Sequence, residues 1–105
     1  MQGYQLSFFT QQGHRHHGMP LAEWILQEAR RLGISGATLF AASEGFGTGR
    51  RIHAARFFEL SDQPEEVTMA LNAVEADLLL DRLREEGVKV FYVKMPVEYG
   101  MLGEV

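Results

Sequence analysis

Residues 67–93 read VTMALNAVEADLLLDRLREEGVKVFYV, and two changes of period inside this stretch decide the fold. Val67, Met69 and Leu71 alternate with Thr68 and Ala70, the period of a strand with one face buried. Over Glu75–Glu86 the apolar residues Ala76, Leu79, Leu80 and Leu83 fall on one face of a helix. Gly87 ends that helix. Val88–Val93 is again an apolar run of strand length. A strand, a helix and a strand therefore follow one another closely.

The residues before this stretch show the same kinds of element. Tyr4, Leu6 and Phe8 alternate with Gln5 and Ser7, so Tyr4–Phe9 reads as a strand. Pro20 suits the first turn of a helix. Leu21, Trp24, Ile25, Ala29 and Leu32 follow at helical spacing, which makes Trp24 core, and Gly33 marks the end. Ala37–Ala42 is short and apolar and reads as the second strand. The tail from Pro96 to Val105 carries few packing signals. The order is strand, helix, strand, strand, helix, strand. This is the α+β, ferredoxin-like βαββαβ pattern: a four-stranded antiparallel sheet with two helices on one face. With 105 residues and no linker or low-complexity tract, one domain, 1–105, accounts for the chain.

That topology predicts a meeting point. The first and second strands both end at one edge of the sheet, and the third starts there. The second helix returns to the same edge. Three connections gather on it: Gln11–Gly18, Gly45–Pro64 and the turn around Gly87. The first carries His14, Arg15, His16 and His17. The second holds the glycine-rich turn Gly45-Phe46-Gly47-Thr48-Gly49, then Arg50, Arg51, His53 and Arg56. Lys89 follows the third. The chain has a net charge of −4 with fourteen acidic residues, yet none lies in 1–22 or in 45–58. The fold is expected to collect this positive charge at one end. Glycine lets a ligand approach the backbone closely, and the arginine fork makes paired hydrogen bonds to phosphate or carboxylate. A small anionic effector is the expected ligand. The expected contacts are Glu44, Gly45, Phe46, Gly47, Gly49, Arg50, Arg51, His53, Arg56 and Lys89. Phe46 is available to stack on a base, and Glu44 to hydrogen-bond a ribose or base.

One helix layer leaves the other sheet face bare. Both alternation sets hold apolar residues: Phe8 with Phe9, Leu39 with Phe40, and Val90 and Tyr92 with Phe91 and Val93. Such a face is expected to be buried against further copies of the chain, in cyclic symmetry.

The stretches Gly18-Met19-Pro20-Leu21-Ala22-Glu23, Gly36-Ala37-Thr38-Leu39, Glu44-Gly45-Phe46-Gly47 and Arg51-Ile52-His53-Ala54-Ala55-Arg56 carry a resemblance. In them the chain is similar to an uncharacterised PII-like family, domain of unknown function one hundred and ninety, over residues 4–95. The resemblance implies a homotrimer with effector clefts between subunits. It implies an adenine nucleotide as an effector class and Gly45–Pro64 as the mobile segment that touches a target protein, such as a membrane transporter or an enzyme. PII signalling proteins have a glycine-rich phosphate loop between the second helix and the last strand. Here that position reads Arg84-Glu85-Glu86-Gly87-Val88-Lys89. Its two glutamates would repel a triphosphate, so a monophosphate, a cyclic nucleotide or another anion is expected at least as readily as ATP.

Two alternatives stand beside the effector reading. His14, His16 and His17 offer imidazole ligands for zinc or copper, as in a metal-responsive module of the CutA type. The other alternative is a structural trimeric adaptor without a ligand. No cofactor is required by any of these readings. Catalysis has little support: there is no cysteine and no nucleophile–base arrangement with family context. The acidic balance argues against nucleic acid as a partner. No apolar run approaches the ~20 residues that span a bilayer, so no membrane insertion is expected. The start, Met1-Gln2-Gly3-Tyr4, lacks the pattern of a secretory leader, and a cytoplasmic location is expected.

Overall fold

The computed structural model describes residues 1–46, 53–54 and 63–103. In chain order the elements are β1 (Gln2–Gln11), β2 (Arg15–His16), β3 (Met19–Pro20), α1 (Leu21–Arg31), β4 (Thr38–Ala41), β5 (Glu44–Gly45), β6 (His53–Ala54), β7 (Pro64–Leu71), α2 (Ala73–Glu85) and β8 (Phe91–Glu98). Four strands form the main sheet in the order β4-β7-β1-β8, and every neighbouring pair is antiparallel. This is the βαββαβ arrangement that the periodicities predict.

Even-numbered residues of β1 face the helices, and Leu6 and Phe8 are fully buried there. Val67, Met69 and Leu71 of β7 join them, as their alternation requires. Ile25 and Ala29 come down from α1, and Leu79 and Leu83 from α2. Trp24 is core, at 6% exposure. Each large apolar side chain buried in this layer stabilises the fold by about 1.5–3 kcal/mol. Asn72 caps α2: its side chain accepts from the Glu75 backbone N–H, and the Glu75 carboxylate accepts from the Asn72 backbone N–H. Both helices end on a glycine in the left-handed region, Gly33 at φ 84° and Gly87 at φ 69°.

The second sheet face can be read from the register. Phe40, Glu66, Phe9 and Phe91 form one row across it, and Thr38, Thr68, Ser7 and Val93 the next. The Ser7 and Thr68 hydroxyls are hydrogen-bonded at 3.1 Å on this face. The Phe9 and Phe91 rings pack tilted to one another, 5.9 Å between centroids, and stay exposed.

The last strand differs from its sequence expectation. It starts at Phe91 rather than Val88, because the Val88 N–H closes the end of α2 on the Leu83 carbonyl. It also runs through Pro96 to Glu98, so the first part of the tail pairs in the sheet. Proline is tolerated here because β8 is an edge strand. Tyr99 and Met1 extend the pairing by one more step. The Gln11–Gly18 connection is more ordered than a polar loop. It leads into a hairpin in which β2 pairs with β3 about His17 and Gly18, both with positive φ.

Candidate functional site

The three connections meet at one rim. β1 ends at Gln11 opposite Pro64, the first residue of β7. The Gln12 N–H donates to the Gln63 carbonyl, and the Ala42 N–H donates to the Pro64 carbonyl at 2.8 Å. Just beyond β4, β5 pairs with β6, with Glu44 opposite Ala54 and Gly45 opposite His53. Gly45 lies against Pro64, whose ring would stand 3.6 Å from a Cβ at that position. The end of α2 reaches the hairpin through Glu86, which hydrogen-bonds His16 Nε2 at 3.0 Å and His17 Nε2 at 2.6 Å. Backbone and side-chain bonds thus tie together segments that are far apart in sequence.

Of the expected ligand contacts, Glu44 and Phe46 are exposed beside this junction, and Gly45 is half-buried. Lys89 is exposed on the turn between α2 and β8. The His53 backbone is placed by its pairing with Gly45. Gly47, Gly49, Arg50, Arg51 and Arg56 lie outside the described residues. The charge pattern predicts a cationic rim, but the described part of it is mixed. Glu44, Glu65 and Glu86 stand on it with Arg15 and Lys89, because the starts and ends of β5, β7 and α2 carry acids there.

The histidine loop is divided. His14 Nδ1 is within 3.1 Å of Thr10 Oγ1, on its own side of the loop. His16 and His17 turn the other way and share one Glu86 oxygen. The three side chains His16, His17 and Glu86 offer ligand atoms within 4.8 Å of one another. Glu86 is the residue that sequence reasoning missed as a partner and weighed only as a repelling charge. Its place next to Gly87, on the edge already assigned to the histidine loop, was the available signal. Trp24 also contributes. The His16 ring packs edge-on against it at 4.4 Å, and Arg82 lies 5.9 Å from its ring centre.

Two carboxyls on the rim are shifted in opposite directions. Hydrogen bonds from His17 and His16 lower Glu86 to about 2, with a further contribution from Arg82. Burial pushes the Glu65 carboxyl above its ordinary range, and the Glu23 charge adds to the effect. Glu65 Oε1 is buried with no hydrogen-bond partner among the described residues.

This fold and rim can be compared with known proteins. The DUF190 family model, described as Uncharacterized ACR, matches residues 3–98. The chain belongs to this family. A curated relative of the DUF190 chain, the UPF0166 protein of Aquifex aeolicus (strain VF5), is 26% identical over 81 residues, 77% of this chain and 74% of the relative. A solved putative PII-like signaling protein from Thermus thermophilus matches with a TM-score of 0.69 at 20% identity, over 92% of this chain and 88% of that one. CPII from Thiomonas intermedia K12 is a nitrogen regulatory PII-like protein bound to ADP, AMP and bicarbonate. It matches with a TM-score of 0.70 at 14% identity, over 96% of this chain and 91% of that one. The DUF190 chain therefore has a PII-like, ferredoxin-like fold. No helix among its described residues is long and apolar enough to cross a membrane.

Proposed function

We propose that the DUF190 chain is a PII-like regulatory protein that binds an anionic effector of the adenine-nucleotide class. The effector sits in clefts between the subunits of a homotrimer, and residues 45–64 pass its occupancy to a target protein. The observation that carries this reading is the junction of three connections at one rim, made by the Gln12–Gln63, Ala42–Pro64 and His17–Glu86 bonds. A ligand held there touches both ends of the 45–64 connection at once. The nucleotide class is supported by CPII, which shares the fold and is bound to ADP and AMP.

Arg50, Arg51 and Arg56 supply the phosphate contacts, with Lys89 from the third connection. Phe46, 70% exposed, offers a stacking surface for the base. The work is binding rather than bond-making. An effector that prefers one state of the 45–64 connection by about 1–3 kcal/mol changes the target's affinity about 5–150-fold.

Thermal-shift measurements with AMP, ADP, ATP, cyclic AMP and bicarbonate test this. AMP or ADP is expected to raise the melting temperature, and Arg50→Ala with Arg51→Ala to abolish the rise. A melting temperature unmoved by all five compounds removes the adenine-nucleotide reading and leaves the metal-responsive module or the structural trimeric adaptor.

A further inference from the structure

His16 and His17 are adjacent in sequence, and extended backbone would send their rings to opposite sides. They nevertheless reach the same oxygen of Glu86. The cause is backbone geometry: His17 has φ 51°, the one non-glycine residue with positive φ among the described residues. A residue held in that region costs free energy that its surroundings must supply, and such residues cluster at functional positions. Here the turn brings two imidazole nitrogens and one carboxylate oxygen to a single point.

We propose that His16, His17 and Glu86 form a binding site for a divalent cation of the zinc class. The site shares the His17–Glu86 bond with the rim on which the nucleotide reading rests, but none of its three ligands is among the residues assigned to hold the nucleotide. Two imidazoles with one carboxylate suit zinc and its neighbours, with a position left open for water. Magnesium and calcium prefer sets made wholly of oxygen. The three atoms lie within 4.8 Å, and a tetrahedral ion with bonds of about 2.0–2.1 Å needs only a small opening of the existing hydrogen bonds. Each neutral imidazole keeps its proton by carrying it on Nδ1 when Nε2 becomes the ligand.

The surroundings orient all three groups. Arg82 donates to the other Glu86 oxygen at 3.0 Å, which leaves Oε1 turned toward the histidines. The Trp24 ring holds His16 edge-on. Such outer partners commonly fix the direction of metal ligands. His17 is 62% exposed, so an ion can enter from solvent. Once bound, it would join the β2–β3 hairpin to the end of α2, across 69 positions of sequence.

The test uses the full chain, freed of metal by chelation and titrated with zinc chloride. Trp24 is the only tryptophan, so its emission reads the site directly. One zinc per chain is expected, with a change in Trp24 emission. The melting temperature is expected to rise by about 10 °C at a zinc concentration about a hundred times the dissociation constant. His17→Ala changes an exposed side chain, so the fold should survive it. It and Glu86→Gln are expected to weaken zinc about 100-fold or more, since loss of even an outer partner costs about 10–100-fold. His14→Ala is expected to leave binding unchanged. No zinc-dependent signal, zinc binding that survives both His17→Ala and Glu86→Gln, or an equal response to magnesium would each overturn the proposal. Zinc titration of the Arg50→Ala, Arg51→Ala variant keeps the two readings distinguishable, since zinc binding is expected to persist there whether or not a nucleotide binds.

Discussion

Glu28 on α1 receives the Arg82 guanidinium from α2 at 2.6 Å, across 54 positions of sequence. The same guanidinium reaches Glu86 at 3.0 Å. Arg31 completes the group, with bonds of 3.1 and 3.0 Å to Glu28. Glu28 is only 8% exposed, and the hydrogen bond from Arg31 does most to hold its carboxyl below the usual range, against the opposing effect of burial. Arg82 thus fastens the two helices and orients the rim carboxylate together.

Arg82→Lys tests this double role. Lysine keeps the charge but has no planar fork with which to bridge two carboxylates. The melting temperature is expected to fall by about 5–10 °C, roughly what loss of one charged hydrogen bond costs a domain of this size. Zinc affinity is expected to fall as well, because Glu86 loses its orienting partner. A variant that melts like the parent protein and binds zinc equally would show that Arg82 has neither role.

Glu86 sets a pH dependence in the acid range. Its carboxyl is lowered from the ordinary 4.5 to about 2, chiefly by the hydrogen bonds from His17 and His16. A carboxyl with a depressed folded-state pKa stabilises the fold above its unfolded value, and that contribution disappears as pH falls through the folded value. The stabilisation is therefore complete above about pH 4.5 and lost towards about pH 2. Melting curves of the parent protein and Glu86→Gln are expected to differ at pH 6 and to converge near pH 2. A constant difference over that range would contradict the assignment.

Glu65 acts in the opposite direction. Burial raises its carboxyl, and the Glu23 charge adds to this. Above the raised value the folded state must hold an ionised group that it disfavours, so stability falls as pH rises through it. Glu65→Gln is expected to raise the melting temperature at pH 7, and that advantage is expected to shrink as pH falls through the raised value and to be gone by about pH 4.5. Destabilisation by Glu65→Gln at pH 7 would mean that the charge has a partner in the folded protein.

The elements whose burial follows one simple period are legible in the sequence. Leu79, Leu80 and Leu83 mark α2, and Val67, Met69 and Leu71 mark β7, because a single buried face leaves its spacing in the residues. β8 is legible only in part. Val88 and Val90 are apolar because they pack on the core behind the turn, not because they pair in the sheet. Pro96 looks like a strand breaker, yet at an edge it costs no ladder bond. The rim itself follows from topology alone. Its chemistry does not, because which way His17 turns depends on one backbone angle. The charge of Glu86 is plain in the sequence, but its role depends on contacts 69 and 70 positions away.

The open sheet face gives the test of assembly. Phe9 and Phe91 stand side by side on it, 40% and 66% exposed, in the same row as Phe40 at 52%. Met95 lies further along β8 on the same side, at 45%. Aromatic rings bring large apolar area to an interface, and a patch of this kind associates when left in water. Three copies closing about an axis, the assembly proposed above, would bury it. Light scattering on the parent protein is expected to give the mass of a trimer at micromolar concentration. Phe91→Asp would place a charge at the centre of that contact and leave the helix-side core, built on Leu6, Phe8 and Ile25, untouched. The variant is expected to run as a folded monomer and, with its inter-subunit clefts gone, to lose the nucleotide-induced rise in melting temperature. If Phe91→Asp remains trimeric, the copies meet through another surface, and the cleft assigned to the effector must be sought there.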